Sequence, residues 1–321
     1  MKRKNIWQIC FLTVFLVLQG AEGAASAKTA GEPLRCIAFY TSVKGVNSVI
    51  AQATQEIERQ LAGNQEMNIS AYQLSHEAYS SLDYKVDITI ELGMDVLILS
   101  GAAATGETAS FEKLKKAGVK LILIDGDVPE SGRCAYVGTD NRRAGEQGAE
   151  LLGKWSEHCK VGILSSPVKG SSSLTGSRQE RRLGFLDAAE KRNREENGES
   201  IQIAAEEICP LETEEAAVKV KQLLEKNRQI NALFCLDSAS AIAAAQAVRQ
   251  LKKTEEIYVV CFDRPAQVEE EMERGGIDAA LVQDSVACGR LCVGILEELS
   301  ENRDSVCDRR EMLECEIVTA E

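Results

Sequence analysis

Phe111-Glu-Lys-Leu-Lys-Lys-Ala-Gly118-Val-Lys-Leu-Ile-Leu-Ile-Asp125 is the stretch on which the fold turns. Phe111 and Leu114 fall one helical turn apart among lysines, the pattern of an amphipathic helix over Phe111 to Ala117. Gly118 stops that helix. The apolar run Lys120 to Ile124 then reads as a short strand, and Asp125 ends it. One helix leading into one strand with a polar residue at the strand's end is the repeating unit of an α/β protein.

The same unit recurs on both sides of this stretch. Strands are predicted at Cys36 to Tyr40, Met67 to Leu74, Val96 to Leu99, Val161 to Leu164, Ile201 to Ile208, Ala232 to Leu236 and Ile257 to Phe262. Between them fall helical patterns at Asn47 to Leu61, Ser80 to Leu92, Arg142 to Trp155, Glu214 to Glu225 and Ser238 to Leu251. Strict alternation gives right-handed βαβ units and doubly wound parallel sheets. Asn141 and Thr213 stand where helices begin, and Gly93 and Gly118 where two end. Glu190 to Glu199 reads as a solvated helix end and loop.

The N-terminus has another character. Lys2, Arg3 and Lys4 precede an apolar run from Ile6 to Leu18, and Ala25-Ser26-Ala27 follows as a small-x-small cleavage site. These are the three parts of a secretory signal peptide, residues 1–27, and the run is shorter than the roughly 20 residues that span a bilayer. No cysteine stands at the cleavage point, so a lipid anchor is not expected. The remainder is long enough for two lobes, each with its own core. Loss of Lys2, Arg3, Lys4 and Glu22 moves the formal charge from −13 to −15, which argues against nucleic acid as a partner.

Eleven cysteines would suggest a disulfide framework in an exported protein, but their spacing does not. Cys36, Cys235 and Cys261 lie within strand-like runs, where a thiol acts as a small apolar group. No Cys-x-x-Cys pair occurs, and His76 and His158 are far apart, so no metal site is expected. The Gly170 to Gly176 stretch lacks the lysine of a phosphate-binding loop, and Ser171 to Ser173 lack the flanking glycines of a hydrolase nucleophile. Neither an enzyme nor a cofactor is expected.

In parallel sheets, ligands lie beyond the carboxyl ends of the strands. Asp125, Asp237, Asp263 and Gln283 each follow an apolar run there. Any one of them taken alone is commonly a helix cap or turn residue, but four together point to a polar binding edge.

The ordered motifs Cys36-Ile-Ala-Phe, Gly93-Met-Asp-Val-Leu-Ile-Leu, Ile122-Leu-Ile-Asp-Gly-Asp and Tyr136-Val-Gly-Thr-Asp-Asn are followed by four more. These are Arg181-Arg-Leu-Gly-Phe185, Ile230-Asn-Ala-Leu-Phe, Ile257-Tyr-Val-Val-Cys-Phe-Asp263 and Gly276-Ile-Asp-Ala-Ala-Leu-Val-Gln283. The chain resembles the type I periplasmic binding proteins, which include ribose- and galactose-binding proteins and the ligand domains of lactose-repressor-type regulators. The resemblance implies two similar lobes joined by a three-stranded hinge with the ligand cleft between them. The N-terminal lobe would hold residues 34–139 plus 284–308, and the C-terminal lobe 140–283 plus 309–321.

It also implies ligand-binding roles for Asn47, Ser100, Asp125, Thr139, Arg181, Asp237, Asp263 and Gln283. Carboxylates and a guanidinium suit a polyol, whose hydroxyls both donate and accept. Sugar-binding members carry aromatic residues where this chain has Ser48, Val49 and Ile50, and again where it has Cys209, Pro210 and Leu211. The function implied is that of a monomeric extracytoplasmic sugar-binding component of an ABC-type importer, with a membrane permease as partner. The alternative is a ligand sensor feeding a membrane receptor or histidine kinase. N-terminal sequencing of the exported protein should start at Lys28; recovery only as a membrane-bound full-length chain would overturn the cleaved signal.

Overall fold

The computed structural model describes residues 33–40, 49–63, 68–75, 81–101, 108–167, 174, 176–195 and 200–320. The expected signal peptide, Asn47, His76 and the 170–173 stretch lie outside the described residues.

The strands are β1 (Leu34–Tyr40), β2 (Ile69–Ser75), β3 (Val96–Ser100), β4 (Lys120–Ile124), β5 (Ala135–Thr139), β6 (Cys159–Ser165) and β7 (Ile201–Ile208). They continue with β8 (Ala232–Cys235), β9 (Tyr258–Phe262), β10 (Ala279–Val282), β11 (Arg309–Leu313) and β12 (Glu316–Thr319). The described helices are α1 (Val49–Gly63), α2 (Leu82–Glu91), α3 (Thr108–Lys116), α4 (Asn141–Trp155) and α5 (Gly176–Glu195). After these come α6 (Thr213–Lys226), α7 (Ser238–Gln250), α8 (Ala266–Glu273) and α9 (Ser285–Glu301).

Two six-stranded sheets result, ordered β11-β5-β4-β3-β1-β2 and β12-β10-β9-β8-β6-β7. The two orders match strand for strand, so the second sheet repeats the first. The α/β class with two doubly wound sheets is as expected from the sequence. One departure is β12, which pairs antiparallel with β10, from Ala279 opposite Thr319 to Val282 opposite Glu316. The chain divides into two compact units, one of residues up to Val137 with Cys288–Glu311, the other Gly138–Ala287 with Met312 onward.

In the second unit, residues along each strand alternate between two buried layers. Leu233, Cys235, Val259 and Cys261 face one layer, with α6 and α7 supplying Val220, Leu224, Ala244 and Val248. Phe234, Leu236, Val260 and Phe262 face the other, where Phe185 of α5 stacks on Phe234 at 4.3 Å between ring centroids. Burial on both faces explains why these strands read as unbroken apolar runs. In the first unit, Leu97, Leu99, Leu121 and Leu123 form the corresponding layer with Phe111 and Leu114. There Arg133, its side chain 2% exposed, donates to Asp127 at 2.9 Å and to Asp308, tying the returning segment to the unit.

Helix boundaries follow local chemistry. Gly93 and Gly118 take φ of +62° and +72° just after α2 and α3, the left-handed turn that ends a helix. At α4 the cap is Asp140 rather than the expected Asn141, since Asp140 accepts from the Arg143 N–H at 2.9 Å and leaves the Asn141 amide for another use. The α4–α5 crossing is close because both helices present glycine. A methyl on Gly145 would sit 2.0 Å from the Arg181 carbonyl oxygen, and one on Gly184 would sit 1.8 Å from that of Arg142.

Two glycine substitutions should therefore have opposite signs in urea unfolding. Gly184→Ala forces two backbones apart and should lower stability by about 1–3 kcal/mol. Gly294→Ala, in α9 with open space around its added carbon, should raise it by up to about 1 kcal/mol through helix propensity. Equal effects at the two positions would overturn the close crossing.

Candidate functional site

The carboxyl ends of β6, β8, β9 and β10 carry the polar groups of the second unit, and Arg181 is central among them. It lies in the second turn of α5, where its side chain runs over the Phe262 ring with the guanidinium carbon 4.0 Å from the centroid. Its Nε donates to Asn141 Oδ1 at 2.8 Å and one terminal nitrogen, Nη1, to the Leu236 carbonyl at 3.0 Å. The residue is only 4% exposed, yet no carboxylate among the described residues pairs with it. A buried cation held by neutral acceptors and a ring face retains unused donor capacity at Nη2.

A second group meets Arg181 through Asn141, whose Nδ2 donates to the Thr139 carbonyl at 3.2 Å. The Thr139 hydroxyl donates to Gln283 Oε1 at 2.8 Å, and Gln283 Nε2 donates to Asp263 Oδ1 at 2.7 Å. Asp263 Oδ2 accepts from no described residue, so the carboxylate keeps a free acceptor and no cation beside it. Asp263 takes φ of +64°, a left-handed conformation uncommon for a residue with a side chain and a frequent mark of functional positions. Its N–H donates to the Leu281 carbonyl at 2.9 Å.

Asp237 is different. It caps α7, Oδ1 accepting from the Ser240 N–H at 2.9 Å. Oδ2 accepts from the Ser166 N–H at 2.8 Å and the Ser165 hydroxyl at 3.2 Å, and Arg178 Nε lies 3.0 Å from it. Burial alone would raise this carboxyl's pKa, but the Arg178 charge and the N–H groups of Ser240 and Ser166 outweigh it and hold the pKa below the ordinary value of 3.8.

Of the residues singled out from sequence, Thr139, Arg181, Asp263 and Gln283 thus fall in one hydrogen-bonded chain, and Asp237 adjoins it through Leu236. Ser100 and Asp125 lie at the ends of β3 and β4 in the other unit. Asp125 repeats the geometry of Asp263, with φ of +70° and its N–H donating to Val137 at 3.2 Å. Gly101 and Gly126 bring the two following loops so close that a methyl on Gly101 would meet the Gly126 carbonyl at 2.0 Å. The sequence reading did not single out Ser165, Ser166 or Arg178 as site residues. Arg178 stands three residues before Arg181, one helical turn, and that spacing was the available signal.

The thiols offer no competing chemistry. Among the ten described cysteines only Cys307 is exposed. Burial pushes Cys209 up to about 11 and Cys36 up to about 12, so they stay protonated. Among the described residues no cluster could hold a metal ion, and no helix is long and apolar enough to cross a membrane.

The model of the periplasmic binding protein domain family matches residues 37–304. The chain is 24% identical over 205 residues to the D-ribose/D-allose-binding protein of Pseudomonas aeruginosa, a stretch covering 62% of this chain and 60% of that protein. Among solved structures it resembles AraP, an arabinose-binding protein from Geobacillus stearothermophilus, with a TM-score of 0.74, 18% identity and 90% and 97% of the two chains covered. It also resembles XylFII in the XylFII–LytSN complex, with a TM-score of 0.64, 22% identity and coverage of 90% and 98%.

Because its folded pKa is lowered, Asp237 contributes stability that is fully present above the ordinary aspartate value and is lost as pH falls through the folded pKa. Asp237→Asn should cost about 1–3 kcal/mol of unfolding free energy at pH 7. The gap between the two proteins should close as pH falls below 3.8. A pH-independent gap would show that the carboxylate charge contributes nothing.

Proposed function

Because the chain belongs to the family of periplasmic binding protein domains, we propose that it is an extracytoplasmic sugar-binding protein that delivers its ligand to an ABC-type importer. The observation that carries this reading is the pairing of unused capacities at the strand ends. Among the described residues, Arg181 offers donors with no carboxylate paired to it, and Asp263 offers an acceptor oxygen with no cation paired to it. A neutral polyol matches both, since its hydroxyls can donate, as Asp263 requires, and accept, as Arg181 requires. Named relatives that bind ribose, allose and arabinose support the same class. Ser100 and Asp125 of the first unit and Asn47 complete the proposed contact set.

A second reading is a ligand sensor that passes occupancy to a membrane receptor. What favours it is the neighbour that assembles with a second protein, LytSN. Uptake of the bound sugar by cells lacking this protein separates the two: lost uptake supports the importer, and unchanged uptake with a lost transcriptional response supports the sensor.

Calorimetric titration with D-ribose, D-allose, D-galactose and L-arabinose tests the binding reading. At least one should bind, and Arg181→Ala or Asp263→Ala should weaken it by about 2–5 kcal/mol, because removing one polar partner leaves the others desolvated and unmatched. Absence of binding across the panel would sink the reading. Unchanged affinity in both variants would mean that the sugar binds elsewhere.

A further inference from the structure

Asp237 stands at the carboxyl end of β8, where the resemblance assigns it to the ligand, but most of its acceptor capacity is used and its side chain is only 10% exposed. An ionised carboxylate has about four lone-pair sites. The Ser240 N–H takes one on Oδ1, and the Ser166 N–H and the Ser165 hydroxyl fill Oδ2, the same oxygen that Arg178 Nε meets as an ion pair at 3.0 Å. Arg178 is in the opposite state. Nε faces Asp237 at 3.0 Å and Nη2 donates to the Ser166 hydroxyl at 3.2 Å, while Nη1 has no partner among the described residues and the side chain is 28% exposed.

Its position is informative in two further ways. The sheet order places β6 between β7 and β8, so successive strands are added on opposite sides of β6, and the gap between the β6 and β8 ends is where open α/β sheets take ligands. Ser166 follows β6 and Asp237 follows β8, so Arg178 is clamped at that gap. Arg178 is also a cation in the first turn of α5, where the helix dipole disfavours positive charge and no acidic residue precedes it in that turn. A residue that breaks a local rule and is held by two partners is explained by function more readily than by stability.

We infer that Arg178, and not Asp237, is the specificity-determining contact at this corner, and that Asp237 is a positioning residue that fixes the guanidinium. This rests on the sugar-binding reading. The exchange converts an acceptor corner into a donor corner, so the site reads a lone pair of a sugar hydroxyl or ring oxygen there. Within the second unit Arg178 and Arg181 oppose Asp237 and Asp263, and Asp125 of the proposed contact set adds a third carboxylate, which favours a neutral sugar over a sugar acid.

The test uses the whole protein and the same four sugars, with D-galacturonate added, in wild type, Arg178→Ala, Asp237→Asn and the double variant. For a sugar that binds, Arg178→Ala should weaken affinity about ten- to a hundredfold, the range for a lost hydrogen bond to a charged group. Asp237→Asn alone should weaken it, but on the Arg178→Ala background it should change affinity by less than about twofold, because it acts through the arginine. Asp237→Ser, which still caps α7, serves if the asparagine variant folds poorly. Affinity within twofold of wild type in Arg178→Ala overturns the contact. An undiminished Asp237 effect on the Arg178→Ala background shows that Asp237 meets the sugar itself and overturns the positioning role. Tighter binding of D-galacturonate than of every neutral sugar overturns the charge assignment. A panel with no binder removes the sugar-binding reading, and this inference with it.

Discussion

Parallel strands all finish at the same edge of their sheet, and every helix that follows a strand opens there with unpaired N–H groups. That edge must be polar whether or not anything binds. Part of its polar population in the second unit is spent on the backbone: Asp237 takes the Ser240 N–H and Asp140 takes the Arg143 N–H. What remains unspent is chemically specific. Arg181 and Asp263 keep donor and acceptor capacity that no group among the described residues answers, and they are linked through Asn141, Thr139 and Gln283.

Holding a guanidinium in so dry a place has a desolvation cost, and the fold offsets it with geometry rather than with a counter-charge. The Phe262 ring lies beneath the cation, and two oxygen acceptors fix its plane. Those distances depend on α4 and α5 approaching at backbone contact, which Gly145 and Gly184 permit. Gly148 in turn lets α4 settle on Phe234, since a methyl there would meet the ring at 2.3 Å. Small residues on two faces of one helix thus set the position of the Arg181 guanidinium on the other.

Strands such as β4, β8 and β9 and most of the helices could be read from sequence because a buried strand is an apolar run closed by a glycine or a polar residue, whereas β5, β10 and β11 were not among the predicted strands. Thr139, Arg181, Asp263 and Gln283 were legible for the same reason, since they punctuate such runs or belong to a motif around them. Asp237 shows where punctuation is ambiguous. A cap and a ligand contact look alike in a string, and the structure shows that this residue caps α7. Arg178 was hidden because it follows a Gly- and Ser-rich stretch and precedes a more prominent arginine. The antiparallel β12 was not legible either, because only Glu314 and Cys315 separate it from β11 and nothing in its own four residues fixes its direction.

The discontinuous first unit has a consequence for how the protein is made. Its early strands are synthesised first, but α9 and Arg309 arrive only after Gly138–Ala287 of the second unit has been made. Until then Arg133 lacks Asp308, the Cys134 carbonyl lacks the Arg309 N–H, and the surface that receives Cys292, Val293 and Leu296 is open. The second unit, nearly continuous in sequence, is able to fold during chain emergence, whereas the first waits as an incomplete layer with apolar surface exposed. Apolar surface left open in this way favours association, and the pairing of a late helix with an early sheet is of the long-range kind that forms slowly.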